Sequence, residues 1–158
     1  MIINKDNLKK YALNYLNRYA SSKKNLVKIL SRKLIKSDCY NQDNKINIKN
    51  IILELERDGI LNDENFANSV AFSGARIGKS KRLIKYNLLK KGISNYDINN
   101  AFNKLENEIP DYETQSAINF ARKKKLGKFG NSKDKNKDLA KMLRAGFDYE
   151  IIKKILYS

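Results

Sequence analysis

The sequence predicts an all-α protein, a tandem repeat of three three-helix modules that is elongated and curved. Three observations predict it. Apolar residues recur at spacings of three and four, and strand-like alternation is nearly absent. Glycine occurs seven times and proline once, at Pro110, so little interrupts the helical stretches. One pattern of helix stop and restart also returns along the chain, in "GILNDENFA", "LLKKGISNYDI" and "MLRAGFDYEII".

In the first helix Leu8, Tyr11, Ala12, Tyr15, Leu16 and Tyr19 form an i, i+3, i+4, i+7 stripe, which predicts a tyrosine-rich face turned into the core rather than a base-stacking platform. The second helix starts near Ser22 and carries Leu26, Ile29, Leu30 and Leu34. A polar loop, "SDCYNQDNKIN", should separate it from a third helix with Ile48, Ile51, Ile52 and Leu55. Six further helices are expected near 63–77, 80–91, 95–107, 111–126, 134–145 and 148–157, about nine in all.

The corners carry their own signals. With Gly59 as a left-handed residue after the third helix, Ile60 can pack back on Leu55, as in a Schellman motif. Asn62 then caps the next helix, Leu61 faces Phe66 as a hydrophobic staple, and Asp63 and Glu64 sit at the positive helix end. Gly92 repeats this grammar with Ile93 against Leu88 and Ile98, and with Ser94 and Asp97 as a capping box. Gly146 repeats it again, with Phe147 against Met142 and Ile152 and with Asp148 as cap. The recurrence gives modules of about fifty residues, 1–60, 61–108 and 109–158, each too small to bury its apolar faces alone.

Composition narrows the function. Net charge is +16, which favours polyanionic partners, but 26 lysines stand against only 7 arginines. Alongside 21 asparagines and 18 isoleucines, that is a mixture an AT-rich coding sequence favours whatever the function. The chain contains no histidine and one cysteine, Cys39, so no His-based triad, zinc site or internal disulfide is expected, and no catalytic constellation or cofactor site emerges. No stretch is apolar enough to span a membrane and the first helix is charged throughout, which predicts a cytoplasmic protein with no membrane contact. "GARIGKSK" is one residue short of a phosphate-loop spacing and follows no strand, so nucleotide hydrolysis is not expected.

Residues 59–94 resemble the central signature of the RecX family, regulators of the bacterial recombinase RecA. The resemblance rests on Gly59, Ile60, Leu61, Asp63, Phe66, Ala67, Arg76, Gly78, Lys91, Gly92 and Ile93. "YLNRYASSKKNLVKIL" is similar to the family's first module, and "AINFARKKKLGKFG" to the last module of some members, so the likeness covers nearly the whole chain. Two departures stand out: Asn62 replaces a usual acidic residue, and "KLIKSDC" replaces the usual Lys-Gly end of the first module's second helix. The resemblance implies a monomeric, non-enzymatic regulator, mainly an inhibitor, with the RecA filament and its DNA as partners.

Candidate contact residues are the cations at helix starts and ends. The second helix of each module should open on Ser22, Ser80 or Ser132 followed by lysines, although cations are unfavourable in a first turn. Such placement without an evident structural gain suggests a binding surface, which nominates Lys23, Lys24, Arg76, Lys79, Lys81 and Arg82. A second cluster is Arg122, Lys123, Lys124, Lys125 and Lys128, joined by Lys133, Lys135 and Lys137. The alternative is an autonomous helix-turn-helix DNA-binding protein with helices 95–107 or 148–157 in the groove, but those helices carry few basic residues.

Overall fold

The computed structural model describes residues 2–131 and 133–157; Ser132, expected to cap a helix, lies outside them. The described residues form nine α-helices and no strand: α1 (Lys5–Arg18), α2 (Lys23–Lys36), α3 (Gln42–Arg57), α4 (Asp63–Ile77), α5 (Lys81–Lys90), α6 (Asn95–Glu108), α7 (Tyr112–Lys124), α8 (Lys135–Arg144) and α9 (Tyr149–Leu156). A 3₁₀ turn, Gly127–Phe129, follows α7. The chain folds into two compact units. One runs to Phe66 and includes Lys91–Ile93; the other holds Ala67–Lys90 and the residues from Ser94 onward.

In the first unit α1, α2 and α3 share a core of Leu8, Ala12, Leu26, Leu30, Leu34, Ile48, Ile51 and Leu55, closed by Ile3 and Leu61. Each fully buried leucine contributes about 1.5–3 kcal/mol. The tyrosines of α1 depart from expectation: Tyr15 is half-buried at the core's edge, but Tyr11 is 37% and Tyr19 57% exposed. Leu8, Ala12 and Leu16 form one i+4 row of the helix and Tyr11, Tyr15 and Tyr19 the next. The core takes the aliphatic row and leaves the tyrosines at its rim.

The segment expected as a polar loop, 37–47, is a loop only to Asn41; its second half, from Gln42, is the start of α3. Asn41 caps α3 by accepting the Asn44 backbone N–H at 2.9 Å. The buried Asn44 amide donates to the carbonyls of Cys39 at 2.8 Å and Ile3 at 3.4 Å. A polar residue thus does a core residue's work, which periodicity in apolar residues does not reveal.

The helix stops follow one geometry. After α3, Gly59 has φ +73, its N–H donates to Glu56 and the Ile60 N–H to Leu55, the two bonds of a Schellman motif. The apolar partner differs from expectation: Ile60 is half exposed, while Leu61 is buried in the core that holds Leu55. Paired bonds of the same kind end α4 at Gly78, α7 at Lys125 and α8 at Gly146. They also end α2, where Asp38 (φ +53) stands in glycine's place and Cys39 donates to Leu34 at 2.8 Å. The missing Lys-Gly of the first module is therefore a change of residue, not of backbone.

In the second unit α7, α8 and α9 gather Ala117, Ala121, Leu126, Met142, Phe147, Ile152, Ile155 and Leu156. The rings of Phe120 and Phe147 lie 5.4 Å apart. Helix starts are capped by Asn62, Ser94 and Asp134, each accepting the backbone N–H three residues on. Asp148 occupies the expected cap position of α9 but makes no side-chain cap bond; its carbonyl accepts the Ile152 N–H instead.

Candidate partner-binding surface

Two buried serines organise the surroundings of the predicted contact residues. Ser22 accepts the Asn25 backbone N–H at 3.1 Å as cap of α2 and donates its own proton to the Lys91 carbonyl at 2.5 Å. Ser80 does the same at the start of α5, accepting from Leu83 N–H at 3.2 Å and donating to the Ala145 carbonyl at 2.6 Å. Each acceptor immediately precedes a left-handed glycine, Gly92 in one case and Gly146 in the other. These glycines also lack room: a Cβ at Gly92 would overlap the Lys24 side chain, and one at Gly146 would sit 2.6 Å from the Ser80 Oγ.

The cation that opens each of α2 and α5, Lys23 and Lys81, proves to have partners. The Lys23 ammonium pairs with Glu56 at 2.7 Å, and its backbone N–H donates to the Asp63 carboxylate at 2.8 Å. The Lys81 ammonium lies 4.0 Å from Glu113 and 5.2 Å above the centre of the Phe102 ring, which itself stacks on Tyr112. Carboxylates from outside the helix thus offset the dipole cost, a structural gain invisible in the local sequence. Burial pushes the Glu113 carboxyl above its usual range, while Lys81 opposes that rise.

Other candidates keep exposed side chains. Lys24, Arg76 and Arg82 are exposed and Lys79 is half-buried. The backbone beneath them is tied down, since the Lys79 carbonyl accepts the Ser116 hydroxyl at 2.5 Å and the Arg76 carbonyl the Asn119 amide at 3.2 Å. Arg122, Lys123, Lys124, Lys125 and Lys128 are all exposed. The structure brings Arg122 and Lys128 together over the Phe129 ring, at 5.2 and 5.4 Å from its centre, and sets Lys125 in the left-handed region at φ +57. Lys23 and Lys24 belong to the first unit, the remaining candidates to the second.

Sequence reasoning missed Arg144. With Arg82, Leu83, Tyr86 and Leu143 it lines a cleft of about 400 Å³ with no carboxylate among its lining residues. Leu83, Tyr86 and Leu143 are exposed, so two arginines, a tyrosine and two leucines share one open cleft of mixed polar and apolar lining, and arginine and tyrosine are enriched in protein-recognition surfaces. The available signal was the scarcity of arginine in a lysine-rich chain, with one of the seven two residues before the Gly146 corner. Among the described residues no group of three or more His, Cys, Asp or Glu could hold a metal ion, and no helix is long and apolar enough to cross a membrane.

Residues 62–101, from the Asn62 cap into the first half of α6, match the pattern described as RecX, second three-helix domain. Regulatory protein RecX of Myxococcus xanthus (strain DK1622) is 32% identical, over 96% of this chain and 84% of its own length. The chain belongs to the RecX family. Regulatory protein RecX of Clostridioides difficile (strain 630) is 31% identical, over 94% of this chain and 66% of its own length. The crystal structure of RecX from Lactobacillus salivarius superimposes with a TM-score of 0.69 at 25% identity, covering 97% of this chain and 94% of that one. A second crystal structure of regulatory protein RecX shares the fold, with a TM-score of 0.70 at 18% identity over 97% of this chain and 72% of that one. The all-helical repeat read from the sequence is thus the RecX architecture.

Proposed function

We propose that this chain is a non-enzymatic regulator of RecA, chiefly an inhibitor, that acts as a monomer in the cytoplasm. It binds the RecA filament on DNA and alters its ATP turnover, strand exchange and support of repressor cleavage in DNA repair. The observation that carries this reading is family membership along 96% of the chain. Three helical modules, 1–60, 61–108 and 109–158, would present the contact residues. The net charge of +16 and the exposed Lys24, Arg76, Arg82, Arg122, Lys123, Lys124 and Lys125 suit an acidic filament surface or filament-bound phosphates. The cleft lined by Arg82 and Arg144 suits an acidic protein segment with an aliphatic anchor better than a bare phosphate backbone, because Leu83 and Leu143 share its lining.

Titrating the purified protein into RecA filaments on single-stranded DNA tests the reading. ATPase and strand exchange should fall with rising protein concentration. Unchanged rates over a wide range would overturn it.

A further inference from the structure

The tyrosine row that the core of the first unit leaves out borders an open recess on α1, of about 700 Å³, lined by Tyr11, Asn14, Tyr15, Asn17, Arg18 and Tyr19. A second recess of about 260 Å³ shares Tyr11 and Asn14 with it and adds Lys10 and Lys33 along with the apolar Ile3 and Leu8. Together they run from Asn7 to Tyr19, about 20 Å along the helix. Neither is lined by Asp or Glu among the described residues.

The rings are held rather than loose. Tyr15 packs against the core and its hydroxyl accepts from the Asn25 amide at 3.5 Å. The Tyr19 ring leans on it, centres 5.1 Å apart at a 43° tilt, with over half its surface open. The Lys33 ammonium sits over the Tyr11 ring, 5.1 Å from its centre, so a cation covers one face of that ring and Tyr19 is the more open of the two.

Exposed aromatic faces, amide groups able to pair with base edges, and cations without competing carboxylates are the ingredients of a single-stranded nucleic acid site. In the larger recess a protein partner is less well served, because its lining is aromatic, amide and cationic with no aliphatic side chain. We propose that this face of α1 binds single-stranded DNA directly, bases stacking on Tyr19 and Tyr11 while Arg18, Lys10 and Lys33 meet the phosphates. The choice of DNA as the strand rests on the function proposed above; the stacking platform does not.

The test is fluorescence anisotropy of a short labelled oligothymidylate with the purified chain and no RecA present. Tyr11→Ala with Tyr19→Ala should weaken binding about tenfold or more, while Tyr19→Phe and Tyr96→Ala, a comparably exposed tyrosine elsewhere, should bind as the parent does. An abasic strand of equal charge should bind the parent as weakly as oligothymidylate binds the double variant. Undiminished binding by the double variant with its helical circular dichroism intact, or equal binding of the abasic strand, would overturn the platform. Equal or tighter binding of oligouridylate would overturn the assignment to DNA. Because RecA is absent, failure here is distinct from failure of filament regulation.

Discussion

The Ser22 hydroxyl donates to the carbonyl of Lys91, 69 residues further along the chain, while it caps α2. Ser80 makes the equivalent bond to Ala145, 65 residues on, so the repeat seen in the sequence is also a repeat of one tertiary bond. Both hydroxyls are buried, which makes an unpaired carbonyl costly once the serine is removed. Ser80→Ala loses the α5 cap and orphans the Ala145 carbonyl. Urea unfolding should show a loss of about 1–3 kcal/mol, well above the few tenths expected for an exposed serine.

Glycines with the same backbone sign should differ sharply in tolerance. Gly59 (φ +73) has nothing within 4 Å of a prospective Cβ, so Gly59→Ala carries only the left-handed penalty, about 1–2 kcal/mol. At Gly78 (φ +91) that Cβ would lie 2.8 Å from the Phe120 backbone nitrogen, which no rotamer change relieves. Gly78→Ala should cost about 3 kcal/mol or more. Thermal unfolding of the two variants gives the comparison.

Acid sensitivity should have one identifiable source in the first unit. Hydrogen bonds from Lys5 and Lys9 pull the Glu54 carboxyl from 4.5 to about 2 in the folded protein. A carboxylate depressed on folding adds stability above its unfolded value and loses it as the pH falls. That contribution is therefore present above about pH 4.5 and disappears between there and about pH 2. Glu54→Gln should flatten the stability profile in this window, as followed by denaturant midpoints against pH.

Charge reversals at neighbouring positions should separate folding from binding. Lys81→Glu sets a carboxylate beside Glu113 and removes the cation over Phe102, so it should lower the melting temperature. Arg82→Glu with Arg144→Glu changes exposed groups of the open cleft, and its stability should stay within about 0.5 kcal/mol of the parent. Filament inhibition should weaken in the second variant at unchanged stability, which paired thermal melts and ATPase titrations would reveal.

From residue 63 onward the helix limits were legible almost to the residue, because glycines and capping side chains mark them locally. What escaped depended on distant partners. Asn44 makes the start of α3 through bonds to Cys39 and Ile3, and Asp38 takes a conformation usually left to glycine. The two i+4 rows of α1 look alike in periodicity, and only the packing of α2 and α3 decides which is covered. For the contact surface, basic residues were legible but their independence was not: Glu56, Asp63 and Glu113 approach Lys23 and Lys81 only in the folded chain. Arg144 was visible as a rare arginine, yet its cleft exists only once α5 and α8 meet through Ser80 and Ala145.

Retention of the purified protein on immobilised RecA filaments, assembled with and without single-stranded DNA, tests the central claim most directly. Filament regulation predicts retention on the DNA-bound filament that weakens as salt rises, with less retention of Arg82→Glu/Arg144→Glu. Equal recovery on filaments and on blank support would contradict it.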